Sequence, residues 1–380
     1  MTPPPGLPYP VLSRPTAGAT ALYTAGGLFW AFLPFFIGLQ TDRSGLTATQ
    51  AGLFGSAYLG GFTIASVSAL WWAVRLNWRV CAVTGVIMII AGFLGLGSVS
   101  VFLGSALCCL IIGLAMGSFW VIAYRVFAAS RNPDRSFALA IGIAYGMLAL
   151  ITLLIGRYVI PVSGLMGMMT AVAILVIALG GAGLLVPKAV AQVPRDTDAS
   201  FRQPIAPVLT ALVGIFFFGL AFAAIWTFGE RIGLSAGLDK RAVGTVLSFN
   251  LLVTGVGSLL AAALGSRYGR FLPLTVSYTV LALCMIAVAH VASLSIFALA
   301  LGGLGLGVGF GMPFQLATVS SLDHSGRFVI LITAAQGLGT ALGPVVGGIA
   351  VDHAGAQGAG WVGLAAFIGS FTAFAALRKL

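Results

Sequence analysis

The chain has 380 residues, 59% of them hydrophobic and only 7% charged, and its mean hydropathy of +1.09 excludes a water-soluble globular domain. A net charge of +11 would suit a nucleic-acid binder, but the basic residues fall in short segments beside apolar runs, where they set membrane topology, so no nucleic acid is expected. Cys81, Cys108, Cys109 and Cys284 all lie inside such runs without metal-site or disulfide spacing, and read as small packing residues.

Taken in chain order, residues 1–16, with Pro3, Pro4, Pro5, Pro8, Pro10 and Pro15, read as a short disordered tail that lacks the features of a signal peptide. A bilayer core of about 30 Å needs roughly 20 apolar residues per helical span. Six runs follow at 17–39, 48–73, 80–98, 101–127, 136–160 and 163–186, and six more at 206–229, 242–265, 271–291, 293–318, 328–351 and 359–378. Between the two sets lies VPKAVAQVPRDTDASFRQP, with the composition of a flexible linker, which places the linker at 187–205 between halves at 17–186 and 206–380. Lipid-exposed backbone must satisfy its own hydrogen bonds, and the alternation of a barrel is missing, so the expectation is an all-α membrane protein with twelve transmembrane helices.

With the N-terminus in the cytoplasm, fourteen basic residues fall inside: Arg14, Arg75, Arg79, Arg125, Arg131, Arg135, Lys188, Arg195, Arg202, Arg267, Arg270, Arg327, Arg378 and Lys379. Five fall outside: Arg43, Arg157, Arg231, Lys240 and Arg241. This positive-inside bias predicts cytoplasmic termini; the expected location is a multi-pass one in a bacterial inner or plasma membrane.

An ungapped offset of 192 residues superposes the two halves. It carries Gly27, Leu28 and Ala31 onto Gly219, Leu220 and Ala223, and Gly52, Ser56 and Tyr58 onto Gly244, Ser248 and Asn250. It also carries Arg75 onto Arg267, Arg135 onto Arg327, and Gly113, Leu114 and Gly117 onto Gly305, Leu306 and Gly309. Thr47 lands on Asp239, and both are predicted N-caps. The pattern predicts two pseudo-symmetric six-helix halves of the same orientation.

After the second span of the second half comes GSRYGR, in which Gly265, Arg267, Gly269 and Arg270 resemble the end of G-x-x-x-D-R-x-G-R-R, the signature of the major facilitator superfamily. The first half keeps Arg75, with Arg79 near the basic end. Val74 and Ser266 stand at the acidic position, so the resemblance does not extend to the charge pair associated with that acid. GTALGPVVGG at 339–348 is similar to the family's antiporter motif but lies in the eleventh span rather than the fifth, and reads mainly as close helix packing with a proline bend. The resemblance implies a monomeric secondary transporter working by alternating access on a small-molecule substrate, in a cavity lined by spans 1, 4, 7 and 10 with help from 2, 5, 8 and 11. At mid-depth these spans offer Trp30, Tyr58, Trp120, Tyr124, Tyr145, Trp226, Asn250, Gln315 and Gln336, a set suited to an amphipathic organic solute.

Eight carboxylates exist, too few for a multi-acid proton relay: Asp134, Asp196, Asp198 and Asp323 fall in inner loops, Asp42 and Asp239 in outer ones. Glu230 and Asp352, near outer ends of spans, are the candidates for coupling or gating, with protons as the candidate ion. Glu230 reads alternatively as an interfacial ion pair with Arg231. His290 reads as interfacial. Arg157 within ITLLIGRYVIP is either a side chain snorkelling to headgroups or an outer gate with Asp42 or Glu230 as its resting partner. No nucleophile, base and orienting group recur at related spacings and no Walker loop is present, so neither an enzyme nor a cofactor is expected. A transporter-like sensor or assembly factor without turnover is the alternative function.

Overall fold

A computed structural model describes residues 9–99, 101–189, 205–265, 267–322 and 329–378. Ser266, Asp196, Asp198, Arg195, Arg202, Asp323, Arg327 and Lys379 lie outside the described residues, as does most of the expected linker. The described residues form twelve α-helices: α1 (Arg14–Ser44), α2 (Ala48–Trp72), α3 (Trp78–Ser98), α4 (Phe102–Ala128), α5 (Pro133–Leu154), α6 (Ile160–Gly181), α7 (Ile205–Ser235), α8 (Lys240–Leu264), α9 (Phe271–Ala289), α10 (Leu294–Leu322), α11 (Val329–Ala354) and α12 (Ala356–Ala376). With twelve crossings, α1 begins and α12 ends on the same side of the bundle, called here the terminal face; the opposite side is the far face.

Two expectations need correction. The disordered tail does not reach residue 16: Ser13 caps α1 in a reciprocal box with Thr16, and Pro15 sits in the first turn, where its missing N–H is one of the helix's unpaired donors anyway. Tyr9, just upstream, joins the α4–α5 turn, its N–H donating to Ala129 O (3.3 Å) and its carbonyl accepting from Arg131 N (2.8 Å). The boundary between the fifth and sixth spans is also less open than expected. A π-turn at Ile155–Val159 carries α5 directly into α6, so residues 135–185 form one apolar run of 51 residues, and among the described residues eleven separate runs are long enough to cross a membrane. A straight helix of that length would extend about 75 Å, more than twice the hydrocarbon thickness. The run turns at Gly164, whose φ of 55° and ψ of −143° break the helix and leave two crossings.

Helices α1 and α7 have 31 residues each, so both project past the apolar core. The sequence placed the first span's end at residue 39, but α1 continues through the polar turn Thr41–Ser44 and stops at Gly45, which is left-handed at φ 61°. The predicted caps are in place: Thr47 forms a capping box with Gln50 at the start of α2, and Asp239 accepts from Arg241 N and Ala242 N at the start of α8.

The sequence repeat is a packing repeat. Helix α2 packs on α4, and α8 on α10; α1 packs on α4, α5 and α6, and α7 on α10, α11 and α12; α3 packs on α4 and α6, and α9 on α10 and α12. Glycines set the closest crossings. A Cβ at Gly113 would run into Tyr58 O, and one at Gly309, on the pseudo-symmetric crossing, into Thr254 O. The halves meet along α2–α11, α5–α8 and α1–α7, and the first two seams exchange under the same six-helix shift.

Candidate functional site

The seams between the halves are closed from the far face inward. On α2–α11, Asp352 accepts from Ala48 N (2.8 Å), Thr49 N (2.8 Å) and Thr49 Oγ1 (2.6 Å). One turn deeper, Gly348 lies against Ala48 O and Gly52 against Pro344 O, with no room for a side chain at either glycine. Deeper again, Val345 N donates to Ser56 Oγ at 3.2 Å, and Gly337 faces Thr63. The small residues of GTALGPVVGG thus do what packing predicts: Gly339 and Gly343 lie on the α7 backbone at Phe216 and Leu220.

On α1–α7, Arg231 donates to Asp42 (2.6 Å) and to Gly38 O (2.7 Å), and Lys240 approaches Asp42 at 3.5 Å. Glu230 is therefore not the partner of Arg231. It is 4% exposed, its Oε2 has no hydrogen-bond partner among the described residues, and its carboxylate lies against Gly38 of the opposite half. Arg157 pairs with neither Asp42 nor Glu230. It is exposed on the π-turn, as expected of a side chain reaching headgroups. Asp352 is exposed rather than buried in the membrane, because it caps another helix at the far face. His290 is exposed, its ring edge-on to Trp361.

At mid-depth Trp30 and Trp226 stack across α1–α7 at 5.9 Å, Trp226 Nε1 donates to Trp30 O at 2.8 Å, and Phe222 packs on Trp30 at 5.5 Å. Toward the terminal face an aromatic wall follows on α1 and α4. Trp120 stacks on Tyr23 at 4.5 Å, donating from Nε1 to Tyr23 O at 3.0 Å, and Tyr124 lies 5.6 Å from Tyr23 and 5.9 Å from Trp120. Tyr124, near the terminal-face end of α4, is 38% exposed. Tyr145 meets Gly255 across α5–α8, and Gln336 is half-buried beside Met312.

Three residues of the expected set are drawn into single halves. Tyr58 is fully buried between Phe29 and Met116. Asn250, its repeat mate, donates to Leu301 O at 2.6 Å, while its Oδ1 is buried without a partner. Gln315 donates to Tyr278 Oη at 3.1 Å, in a chain that continues through Ser370 to Gly214 O. Sequence reasoning missed Tyr23, although it lies seven residues before Trp30 and so on the same face of α1. It also missed Thr49 and Gly38, which carry no chemical signal until their partners are known.

On the terminal face Gly265 (φ 55°) and Gly269 (φ 67°) are left-handed, and Arg267 and Arg270 are exposed. Arg75 and Arg79 are engaged: Arg75 lies 5.0 Å over Trp71, and Arg79 Nε donates to Val186 O at 2.8 Å. Among the described residues no three His, Cys, Asp or Glu side chains gather as a metal site would require.

Two pseudo-symmetric helical halves, joined at one face and lined with aromatic side chains at mid-depth, define a multi-pass membrane carrier. The chain belongs to the Major Facilitator Superfamily, whose family model matches residues 16–327 and 212–380. It is accordingly a secondary transporter and not an enzyme. No curated protein matches it in sequence. Among solved structures it is similar to the nucleoside transporter NupG (TM-score 0.71, 15% identity, 97% of this chain and 100% of that one). It is also similar to a bacterial homologue of the human drug peptide transporters PepT1 and PepT2 (TM-score 0.70, 14% identity, 96% and 97%). A structure of a proton-dependent oligopeptide transporter aligns likewise (TM-score 0.72, 15% identity, 95% and 97%). At these identities the likeness is one of fold.

Proposed function

We propose that this transporter moves a small, uncharged, amphipathic organic solute with a planar apolar part, by alternating access about the mid-depth surfaces of Trp30, Trp120, Tyr124, Tyr145 and Gln336, with protons as the coupling ion. The observation that carries the reading is the distribution of charge. Across the middle of the eight helices expected to line the pathway (α1, α2, α4, α5, α7, α8, α10 and α11) there is no Asp, Glu, Lys or Arg. An ionic solute in such surroundings would have no counter-charge, and its desolvation would go uncompensated. Aromatic faces and the Gln336 amide instead suit an apolar ring with one or two hydrogen-bonding groups.

The cross-half contacts described above run from the far face to mid-depth, which supports a conformation whose pathway leads to the terminal face. The positive-inside bias makes that face cytoplasmic. Among the described residues Glu230 is the one acid buried at the closing seam, and it is the proposed proton site. The chain acts as a monomer, with the central pathway complete within it.

A ligand-binding screen over uncharged, cationic and anionic aromatic compounds, followed by solute counterflow in proteoliposomes, tests this. We expect binding and counterflow with uncharged amphiphiles, and at least a tenfold loss of counterflow in Trp30→Ala. A preference for charged solutes would overturn the substrate class, and binding without exchange would indicate a sensor.

A further inference from the structure

The first turn of α2 leaves four backbone N–H groups without partners inside the helix. The capping box satisfies two of them: the Thr47 side chain accepts from Gln50 N (3.2 Å), and Gln50 Oε1 accepts from Thr47 N (3.1 Å). The other two, Ala48 N and Thr49 N, are satisfied from the opposite half of the protein by the two carboxylate oxygens of Asp352, which also accepts from the Thr49 hydroxyl. Gly348 allows this approach, since a side chain there would strike Ala48 O. A carboxylate at a helix N-terminus is favoured both by the bonds and by the helix dipole.

The pseudo-symmetric seam is built differently. Asp239 of α8 accepts from its own Arg241 N (3.0 Å) and Ala242 N (3.2 Å), and among the described residues no side chain of α5 caps α8. The far end of α5 instead bears Arg157, exposed and without an ion-pair partner among the described residues, and α8 begins with Lys240 and Arg241. Of these two symmetry-related seams, α2–α11 and α5–α8, only the first is closed by a carboxylate of one half on a helix N-terminus of the other among the described residues. Neither half carries an acid at the signature position on the terminal face, where Val74 and Ser266 stand.

We propose that Asp352 is a state-dependent latch: its carboxylate holds the N-terminus of α2 only while the far face is closed, and so biases the transporter toward the far-closed state through the α2–α11 seam. When the halves part, Ala48 N and Thr49 N pass to water and the charge loses the dipole it faced. A contact made equally in both states would shift nothing, and this one exists in one state. The inference rests on the rocking of the halves set out above, but not on the identity or charge of the solute.

Spin labels at Val162 and Leu294, exposed on the far face in opposite halves, report the far-face distance in full-length protein in lipid nanodiscs without substrate. The unsubstituted protein is expected to populate a short and a long distance. Asp352→Asn should raise the ratio of long to short about two- to tenfold, the range for a charge at an exposed helix N-terminus. Thr49→Val, which removes one of the three bonds and no charge, should move it in the same direction by less. Asn77→Ala, which removes the cap of α3, a helix away from the α2–α11 seam, should lower thermal stability and leave the ratio unchanged. An unchanged ratio in both Asp352→Asn and Thr49→Val overturns the latch. A single distance in every variant overturns both the latch and the rocking, whereas two distances with an unresponsive ratio overturn the latch alone.

Discussion

Glu230 is the residue whose surroundings demand most explanation. Its carboxyl is buried against Gly38 in the opposite half, and the nearest cation, Arg231, is bound to Asp42 and Gly38 O instead. A buried carboxylate left without a hydrogen bond at one oxygen carries a large desolvation penalty, which is the ground for proposing it as the proton site. In the proposed coupling, opening the seam admits water to Glu230, and its proton moves with the halves. In Glu230→Gln, pH-gradient-driven accumulation of substrate should fall to the gradient-free level while exchange persists. Full accumulation in that variant would mean that Glu230 only fills the seam. That Glu230 would be a buried singleton was partly legible, since WTFGERIG brings it among aromatics at a helix end. That Arg231 would turn to Asp42, 189 residues away, was not, because adjacency in sequence puts Glu230 and Arg231 about 100° apart on the helix. The same limit applies to Asn250 and Gln315: polarity within an apolar run marked them, but only the crossing helices decide whether each amide serves the pathway or its own half.

At the scale of elements, glycine placement controls where helices can meet. Gly309 lies against Thr254 O and Gly113 against Tyr58 O at matching crossings of the two halves. Gly309→Val should lower the detergent melting temperature sharply, consistent with overpacking costs of about 1–3 kcal/mol and more where backbone must move. Gly142 in α5 meets nothing within 4 Å. Gly142→Ala should therefore be neutral or stabilising by about 0.5–1 kcal/mol through reduced backbone freedom. Equal losses for the two would remove the argument that crossings, rather than glycine content, are limiting. Helix existence was legible because apolar runs of membrane length leave few alternatives, and the caps at Thr47 and Asp239 were legible because each is a short-range signal. The continuation of α5 through a π-turn into α6 was not: ITLLIGRYVIP offers an arginine and a proline as apparent breaks, yet the chain turns later, at Gly164. A proline in the first turn of a helix is no obstacle, and neither is an arginine that can reach headgroups.

For the whole molecule, the 192-residue repeat is the feature that sequence and structure share most fully. Helix pairs in one half recur six helices later in the other, and the α2–α11 and α5–α8 seams exchange under the same operation. Symmetry of this kind gives a pair of similar rigid bodies with two equivalent ways to lean on each other, which is what alternating access requires. The departures from symmetry carry the bias: the Asp352 cap, the Asp42–Arg231–Lys240 cluster and the Glu230–Gly38 contact all lie on the far face and all join the halves. They were hidden in the sequence because each joins residues roughly half a chain or more apart, up to the 304 positions between Ala48 and Asp352. The most direct test of rocking compares the far-face pair, Val162 and Leu294, with a terminal-face pair at Leu76 and Tyr268, exposed positions in matching turns of the two halves. Spin-label distances for both pairs should each show two populations that change in opposite directions when a transported solute or a change of pH is applied. Far-face and terminal-face distances that stay single and fixed, or that lengthen and shorten together, would contradict it.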